Sequence, residues 1–291
     1  MRPNHDAKRV SLVLGSGGAR GLAHIGVIRW LEEHGYQVVG LAGSSIGALV
    51  GGVYAAGKLD EFERWVRAIR AADVLKLLDF SFGRDGLVRG EKIISALQEL
   101  LGECQIEDCD IPFTAVATDV VREKEVWLSS GSLFDAIRAS ISLPLFFKPA
   151  RVNGVQLLDG GILNPVPIAP TFSDDSDITI AVNLGGKPDP DFPAPQLVNE
   201  AEADSDLVSR VAEFLRDFSK RESGDESSIS MLEITDRTFD AMQGAIARQQ
   251  LAAYPPDVEL IVPNNVCGTL EFDRAAEMIA LGYELAERRL G

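Results

Sequence analysis

Gly43-Ser44-Ser45-Ile46-Gly47 matches G-x-S-x-G, the pattern that sets a serine on a sharp strand-to-helix turn and leaves its hydroxyl exposed at the strand's carboxyl end. With 27 glycines in 291 residues, chance alone produces such a window in about one chain in six, so the motif gains weight only from its context. That context agrees with it. An apolar run, "QVVGLAG", leads in, and "SIGALVGGVYAAG" follows. Ser45 would then stand at a helix N-terminus, where unpaired N–H groups and the macrodipole favour a developing alkoxide. The plainer use of a serine at that place is to cap the helix, and this is the expectation for Ser44. Ser45 is the candidate nucleophile, with Gly43 and Gly47 as the small residues that the turn needs.

A serine hydroxyl must be activated. The α/β-hydrolase order of serine, acid, histidine requires a histidine after the nucleophile, but His5, His24 and His34 all precede Ser45. His5 lies in the terminal tail, His34 stands beside Gly35 as a helix C-cap, and His24 reads as a packed residue near a helix start. A carboxylate is the next candidate. In "VQLLDGGILNPVP" an apolar run ends on Asp159, followed by Gly160 and Gly161. Asp-Gly between apolar runs is equally an ordinary turn signal. To act as a base, Asp159 would need its pKa raised by desolvation and a hydroxyl polarised by a helix terminus.

Acyl transfer also requires donors for a tetrahedral oxyanion. "GSGGARG" follows the first apolar run, so Gly15, Gly17 and Gly18 would lie at the same sheet edge as Ser45, with Arg20 adding positive charge. Such a loop can instead cradle phosphate. A dinucleotide fingerprint starting at Gly15 would need glycine at position 20, which is Arg20, and a Walker loop would need a Gly-Lys pair that is absent here.

These groups are held by an alternation of apolar strands and helices. Val10 to Leu14, the helix "LAHIGVIRWLEEHG", the strand "QVVGLAG" and the helix "SIGALVGGVYAAG" spell βαβα. Strands that are apolar throughout indicate a mainly parallel sheet buried between helix layers, an α/β fold. Further strands are expected at residues 113–118, 125–128, 155–158, 178–183 and 258–262, and Asn153-Gly154 signals a hairpin. Helices are expected over about 236–253 and 270–289. The stretch 185–230 is Pro-rich, then acidic, and reads as a surface insertion holding one amphipathic helix over 207–218. No repeat is visible, and residues 1–291 read as one domain.

The net charge of −16 excludes nucleic acid as a natural partner and disfavours electrostatic docking on anionic lipid. Any membrane-surface contact would be transient and apolar. Cys104, Cys109 and Cys267 have no CxxC spacing and fit reduced thiols of a cytoplasmic protein better than disulfides or a zinc site. The five-residue run at Val10 to Leu14 is too short for a signal peptide, and the longest weakly polar stretch is too short for a membrane span. The expectation is a soluble protein without metal or cofactor, its oligomeric state open.

In this order and spacing, "GSGGARG", "GSSIG" and "LLDGG" resemble the patatin-like phospholipases, particularly the bacterial group akin to the catalytic region of neuropathy target esterase. "IRASISLPLFFKPARVNG" resembles the family's approach to its aspartate motif. The likeness covers residues 9 to about 184 well. It implies a three-layer α/β/α sandwich and hydrolysis of lipid acyl esters, phospholipid or lysophospholipid, without metal. It further implies Ser45 as nucleophile, Asp159 as base of a Ser-Asp dyad, and the Gly17 and Gly18 amides with Arg20 as the oxyanion site. Ser16 replaces the first glycine of the family's G-G-G-x-[KR]-G. The runs 73–90 and 141–147 could wall an acyl chain or pack in the core. An acyltransferase using the same intermediate, or a catalytically silent lipid-binding module, would preserve much of this pattern.

Overall fold

The computed structural model describes residues 7–70, 91–144, 147–190 and 231–291. Its frame is an eight-stranded sheet of β1 (Lys8–Leu14), β2 (Tyr36–Ser44), β3 (Phe113–Asp119), β4 (Lys124–Leu128), β5 (Ala150–Val152), β6 (Val155–Asp159), β7 (Ile178–Gly186) and β8 (Val258–Pro263). The spatial order is β5-β6-β3-β2-β1-β7-β8, with β4 paired to β3. From β3 to β8 the strands of this path run parallel. β4 and β6 lie antiparallel to β3, and β5 antiparallel to β6. The sheet is therefore mixed at one side, where an Asn-Gly turn joins β5 to β6. Asn153 at φ 49° and Gly154 at φ 80° both take the left-handed conformation that a tight type I′ hairpin demands.

Around the sheet stand α1 (Ala23–Glu33), α2 (Ile46–Ala55), α3 (Leu59–Ala68), α4 (Glu91–Leu101), α5 (Leu133–Ser140), α6 (Met231–Ala253) and α7 (Ala275–Leu290). The central strand β1 is buried on both faces from Val10 to Leu14. Leu12 and Leu14 pack into the main core with side chains of α1, α2 and α7, whereas Val13, one residue out of step, packs with Ala181 against Val166, Ile168 and Ala247 of α6. Because successive side chains of a strand point to opposite faces, these two clusters are the two sides of the sheet. The result is the three-layer α/β/α sandwich.

The helix that follows the first loop is anchored from the far end of the chain. A Cβ on Gly26 would fall 1.9 Å from the Ile279 carbonyl oxygen, and one on Gly282 the same distance from that of Ala23. α1 and α7 thus touch backbone to backbone, which fixes the start of α1 and the loop before it. α6 begins five residues earlier than its apolar periodicity indicates, and α7 is preceded by a 3-10 turn at Phe272–Arg274. Gly185 and Gly186, placed in the expected surface insertion, belong to β7, where Gly186 accepts from the Asn264 amide; residues 191–230 of that stretch lie outside the described residues. The helix expected over 207–218 and the apolar run 73–90 lie outside the described residues. Among those described, no helix is long and apolar enough to cross a membrane.

Candidate active site

Three connections at one edge of the sheet form the site. β1 ends in the glycine loop, β2 ends at Ser44, and β6 ends at Asp159. Ser44 lies opposite Val116 and Asp159 opposite Ala117, adjacent positions of β3, so the strands converge on one point. Ser45 is the residue between β2 and α2, with φ 55° and ψ −124°. This is backbone strain in a non-glycine residue, of the kind that marks functional turns. The glycines either side make the turn sterically possible. A Cβ at Gly43 would stand 2.4 Å from the Gly47 carbonyl oxygen, and one at Gly47 2.0 Å from that of Leu14.

The Ser45 hydroxyl donates to Oδ2 of Asp159 at 2.5 Å. The other carboxylate oxygen, Oδ1, accepts the Gly161 amide at 2.8 Å. Asp159 is fully buried while Ser45 stays partly open to solvent. Burial is the larger influence on this carboxyl and pushes its pKa up to about 7, with the hydrogen bonds from Ser45 and Gly161 pulling the other way. Gly160 is required by contact, since a Cβ there would lie 2.0 Å from the Val116 carbonyl oxygen. A Cβ on Gly161 would strike Gln243 and Ser16, so the aspartate turn packs directly on the glycine loop.

Neither serine of the pair caps α2. Ser45 occupies the N-cap position without a side-chain capping bond, and its hydroxyl is turned to Asp159 instead. The expectation that Ser44 caps the helix is corrected as well, because its Oγ is buried and has no partner among the described residues.

The glycine loop spends its amides selectively. Gly15 donates to Val182, Ser16 to Pro165 and Ala19 to Thr269, all backbone carbonyls. The amides of Gly17 and Gly18 have no acceptor among the described residues. Gly18 has φ 59°, and a Cβ on Gly17 would collide with Leu184 at 2.6 Å, so both positions depend on glycine. Arg20 is not brought to Ser45. Its guanidinium donates to both carboxylate oxygens of Asp240 on α6, at 2.7 and 3.2 Å, and to the carbonyls of Asn264 and Cys267. Arg20 is 3% exposed, and among the described residues those are its acceptors, so it braces the loop rather than facing the hydroxyl.

Neither His24 nor His34 is hydrogen-bonded to Ser45 or Asp159 among the described residues. His24 is fully buried, desolvation lowers its pKa to about 4, and its Nε2–H donates to the Gly15 carbonyl at 2.9 Å. His34 ends α1 with Nδ1 on the Trp30 carbonyl and its ring stacked on Trp30. Among the described residues no three His, Cys, Asp or Glu side chains gather as metal ligands.

A family model described as patatin-like phospholipase matches residues 12–172, which spans all three motifs. Uncharacterized NTE family proteins of Mycobacterium tuberculosis and Mycobacterium bovis are 41% identical over 97% of this chain and 91% of theirs. The chain belongs to the patatin-like phospholipase family. It belongs with the NTE family proteins inside it, and so to the hydrolases of lipid esters. A lysophospholipase NTE1 of Pyricularia oryzae is 31% identical over 95% of this patatin-like chain, which corresponds to only 18% of that much longer protein. Among solved structures, VipD from Legionella pneumophila aligns over 97% of this chain and 66% of its own, with a TM-score of 0.48 and 14% identity.

Several polar groups of this patatin-like site escape a reading of the sequence. Ser16, the departure from the family's triple glycine, accepts from Gln243 of α6 at 3.0 Å and ties the glycine loop to that helix. Ser140, at the end of α5, accepts the Ser45 amide. His24 holds the loop by one carbonyl. Their partners are 9 to 227 residues away in sequence, which no motif conveys.

Proposed function

We propose that this protein hydrolyses fatty-acyl esters of phospholipids or lysophospholipids through an acyl-enzyme on Ser45. The observation that carries the reading is the 2.5 Å hydrogen bond from the Ser45 hydroxyl to a fully buried carboxylate, made by a residue in strained backbone conformation. Ordinarily a carboxylate is a weak base for a hydroxyl. Burial changes this, because a pKa of about 7 is matched to proton transfer near neutral pH.

In the forward step Asp159 Oδ2 takes the hydroxyl proton as Oγ forms a bond to the ester carbonyl carbon. The negative charge moves to the carbonyl oxygen, where the Gly17 and Gly18 amides supply two fixed donors, and the α2 N-terminus adds favourable potential. Protonated Asp159 returns the proton to the leaving alcohol as its bond to carbon breaks. A water molecule then enters, gives its proton to Asp159, and attacks the acyl-enzyme. Collapse returns the proton to Ser45 Oγ and releases the fatty acid. Arg20 contributes indirectly, by holding the loop that carries the donors. The fungal relatives named lysophospholipase favour lysophospholipid among the lipid esters.

The test is intact-mass detection of a fluorophosphonate adduct on the native protein and on Ser45→Ala, paired with fatty-acid release from lysophosphatidylcholine, phosphatidylcholine and nitrophenyl esters. One adduct that vanishes with Ser45→Ala, together with lysophospholipid turnover, is the expected result. Absence of any adduct on the native protein would overturn the hydrolase reading.

A further inference from the structure

Ser45 holds a conformation that an L-residue leaves when free to do so, and two hydrogen bonds keep it there. Its carbonyl accepts the Leu49 amide at 3.1 Å in the first turn of α2. Its amide donates to Ser140 Oγ at 2.9 Å. Ser140 is fully buried, and its own hydrogen goes to the Val116 carbonyl at 2.5 Å. A hydroxyl has one proton to give, so with Val116 accepting it, Ser140 meets Ser45 only as an acceptor. Val116 in turn lies opposite Ser44 in the sheet. The hydroxyl therefore bridges α5, β3 and the turn after β2 at one point. Two residues further on, the Ser142 carbonyl accepts the Asp159 amide at 3.0 Å. That end of α5 is itself fixed, since the Ser142 hydroxyl donates to the Arg138 carbonyl and accepts from its guanidinium. One turn of chain thus grips both partners of the 2.5 Å contact, Ser45 by a side chain and Asp159 by a carbonyl.

We propose that Ser140 is a positioning residue for hydrolysis, its buried hydroxyl holding the Ser45 amide so that Oγ is aimed at Asp159. This rests on the reading of Ser45 and Asp159 given above. Without the hydroxyl, the part-buried Ser45 N–H loses its acceptor, a cost that rotation of the peptide relieves. The same rotation relaxes the positive φ and swings Oγ away from Oδ2. A purely structural hydroxyl, by contrast, would affect only the docking of α5 on β3.

Two variants separate these cases. Ser140→Ala removes the acceptor and some volume, and Ser140→Cys keeps the volume with a much poorer acceptor. With a soluble nitrophenyl ester, both should lose about tenfold to a hundredfold in kcat with KM within about twofold of the native value. A second readout needs no turnover. The protonated Asp159 carbonyl band, isolated in infrared spectra by subtracting Asp159→Asn, should titrate above the native value of about 7, because the Ser45 hydrogen bond that favours the charged form is lost. A folded Ser140→Cys protein with native kcat and native Asp159 titration would overturn the proposal. If the native protein neither hydrolyses esters nor takes a fluorophosphonate, the hydrolase reading fails while the Asp159 titration still decides the role of Ser140.

Discussion

Replacing Asp159 by Asn should abolish turnover and yet stabilise the protein, increasingly so as the pH is raised. A carboxyl with a pKa of about 7 in the folded state and an ordinary value near 3.8 when unfolded binds more protons folded than unfolded between those limits. The free energy of unfolding therefore falls as pH rises through that window and levels off above it. The difference between the two values corresponds to about 4 kcal/mol, which the native fold lacks above neutral pH and retains under acid conditions. Asparagine never ionises. It can keep Oδ1 on the Gly161 amide and offer its amide to Ser45 Oγ, so the two hydrogen bonds survive in neutral form.

The clean quantity is the difference between the two proteins, because every other titrating group cancels in it. Going from pH 5.5 to pH 8.5 crosses the upper half of the window, and the gap in favour of Asp159→Asn should widen by about 2 kcal/mol. For a chain of this size that amounts to roughly 3 °C in Tm. Urea titrations or calorimetry at the two pH values read it directly, given a cooperative transition. Two stability-versus-pH curves that run parallel would refute the argument. They would show that the buried carboxyl titrates as an exposed one does, and a base tuned by desolvation would have to be abandoned.

On the same grounds kcat/KM for a soluble ester should rise with pH up to about 7 and then level, since only ionised Asp159 accepts the Ser45 proton. A profile that is flat from pH 5.5 to 8 would point to another base. Gly17→Ala places a Cβ 2.6 Å from Leu184 Cβ, which displaces the amide pair, and should lower kcat about a hundredfold with little change in KM. Native-like kcat in that variant would remove Gly17 from the oxyanion site. Asp240→Asn leaves the Arg20 guanidinium, 3% exposed, without its anion and should cost about 3 kcal/mol in urea unfolding. A loss below about 0.5 kcal/mol would show that the pair behaves like an exposed ion pair and does not brace the loop.

What could be read from the sequence is what local patterns encode. The central strands are apolar on both faces because helices cover both, and the Asn-Gly hairpin is written in two residues that tolerate positive φ. The turns that carry Ser45 and Asp159 are legible because close backbone approach forces glycines beside them, and glycine clusters stand out in a string of letters. The partners of Arg20 are hidden for a related reason. A cation in a loop near a nucleophile looks available, and only the fold reveals Asp240, 220 residues away, bound to it. The contacts of Ser140 and Gln243 are not legible because a single hydroxyl or amide in a helix carries no periodic or steric signature. α3 was legible and overlooked, for Leu59, Phe62 and Val66 recur at helical spacing and are the buried residues of that element.

The lack of a histidine after residue 34 has a physical counterpart in the fold. An imidazole titrates near neutrality without assistance, so a histidine base can stand in a solvated cleft. A carboxylate cannot, and its pKa reaches about 7 here only because Asp159 is fully buried. That burial must be maintained by the elements around it, which is why Gly160 and Gly161 press against Val116, Ser16 and Gln243 with no room for a Cβ. The instability that burial imposes and the basicity that it confers are the same free energy. On the mechanism proposed above, a variant that opened the aspartate turn to water would lose both together, relieving the desolvated charge above neutral pH and leaving Ser45 without an effective base.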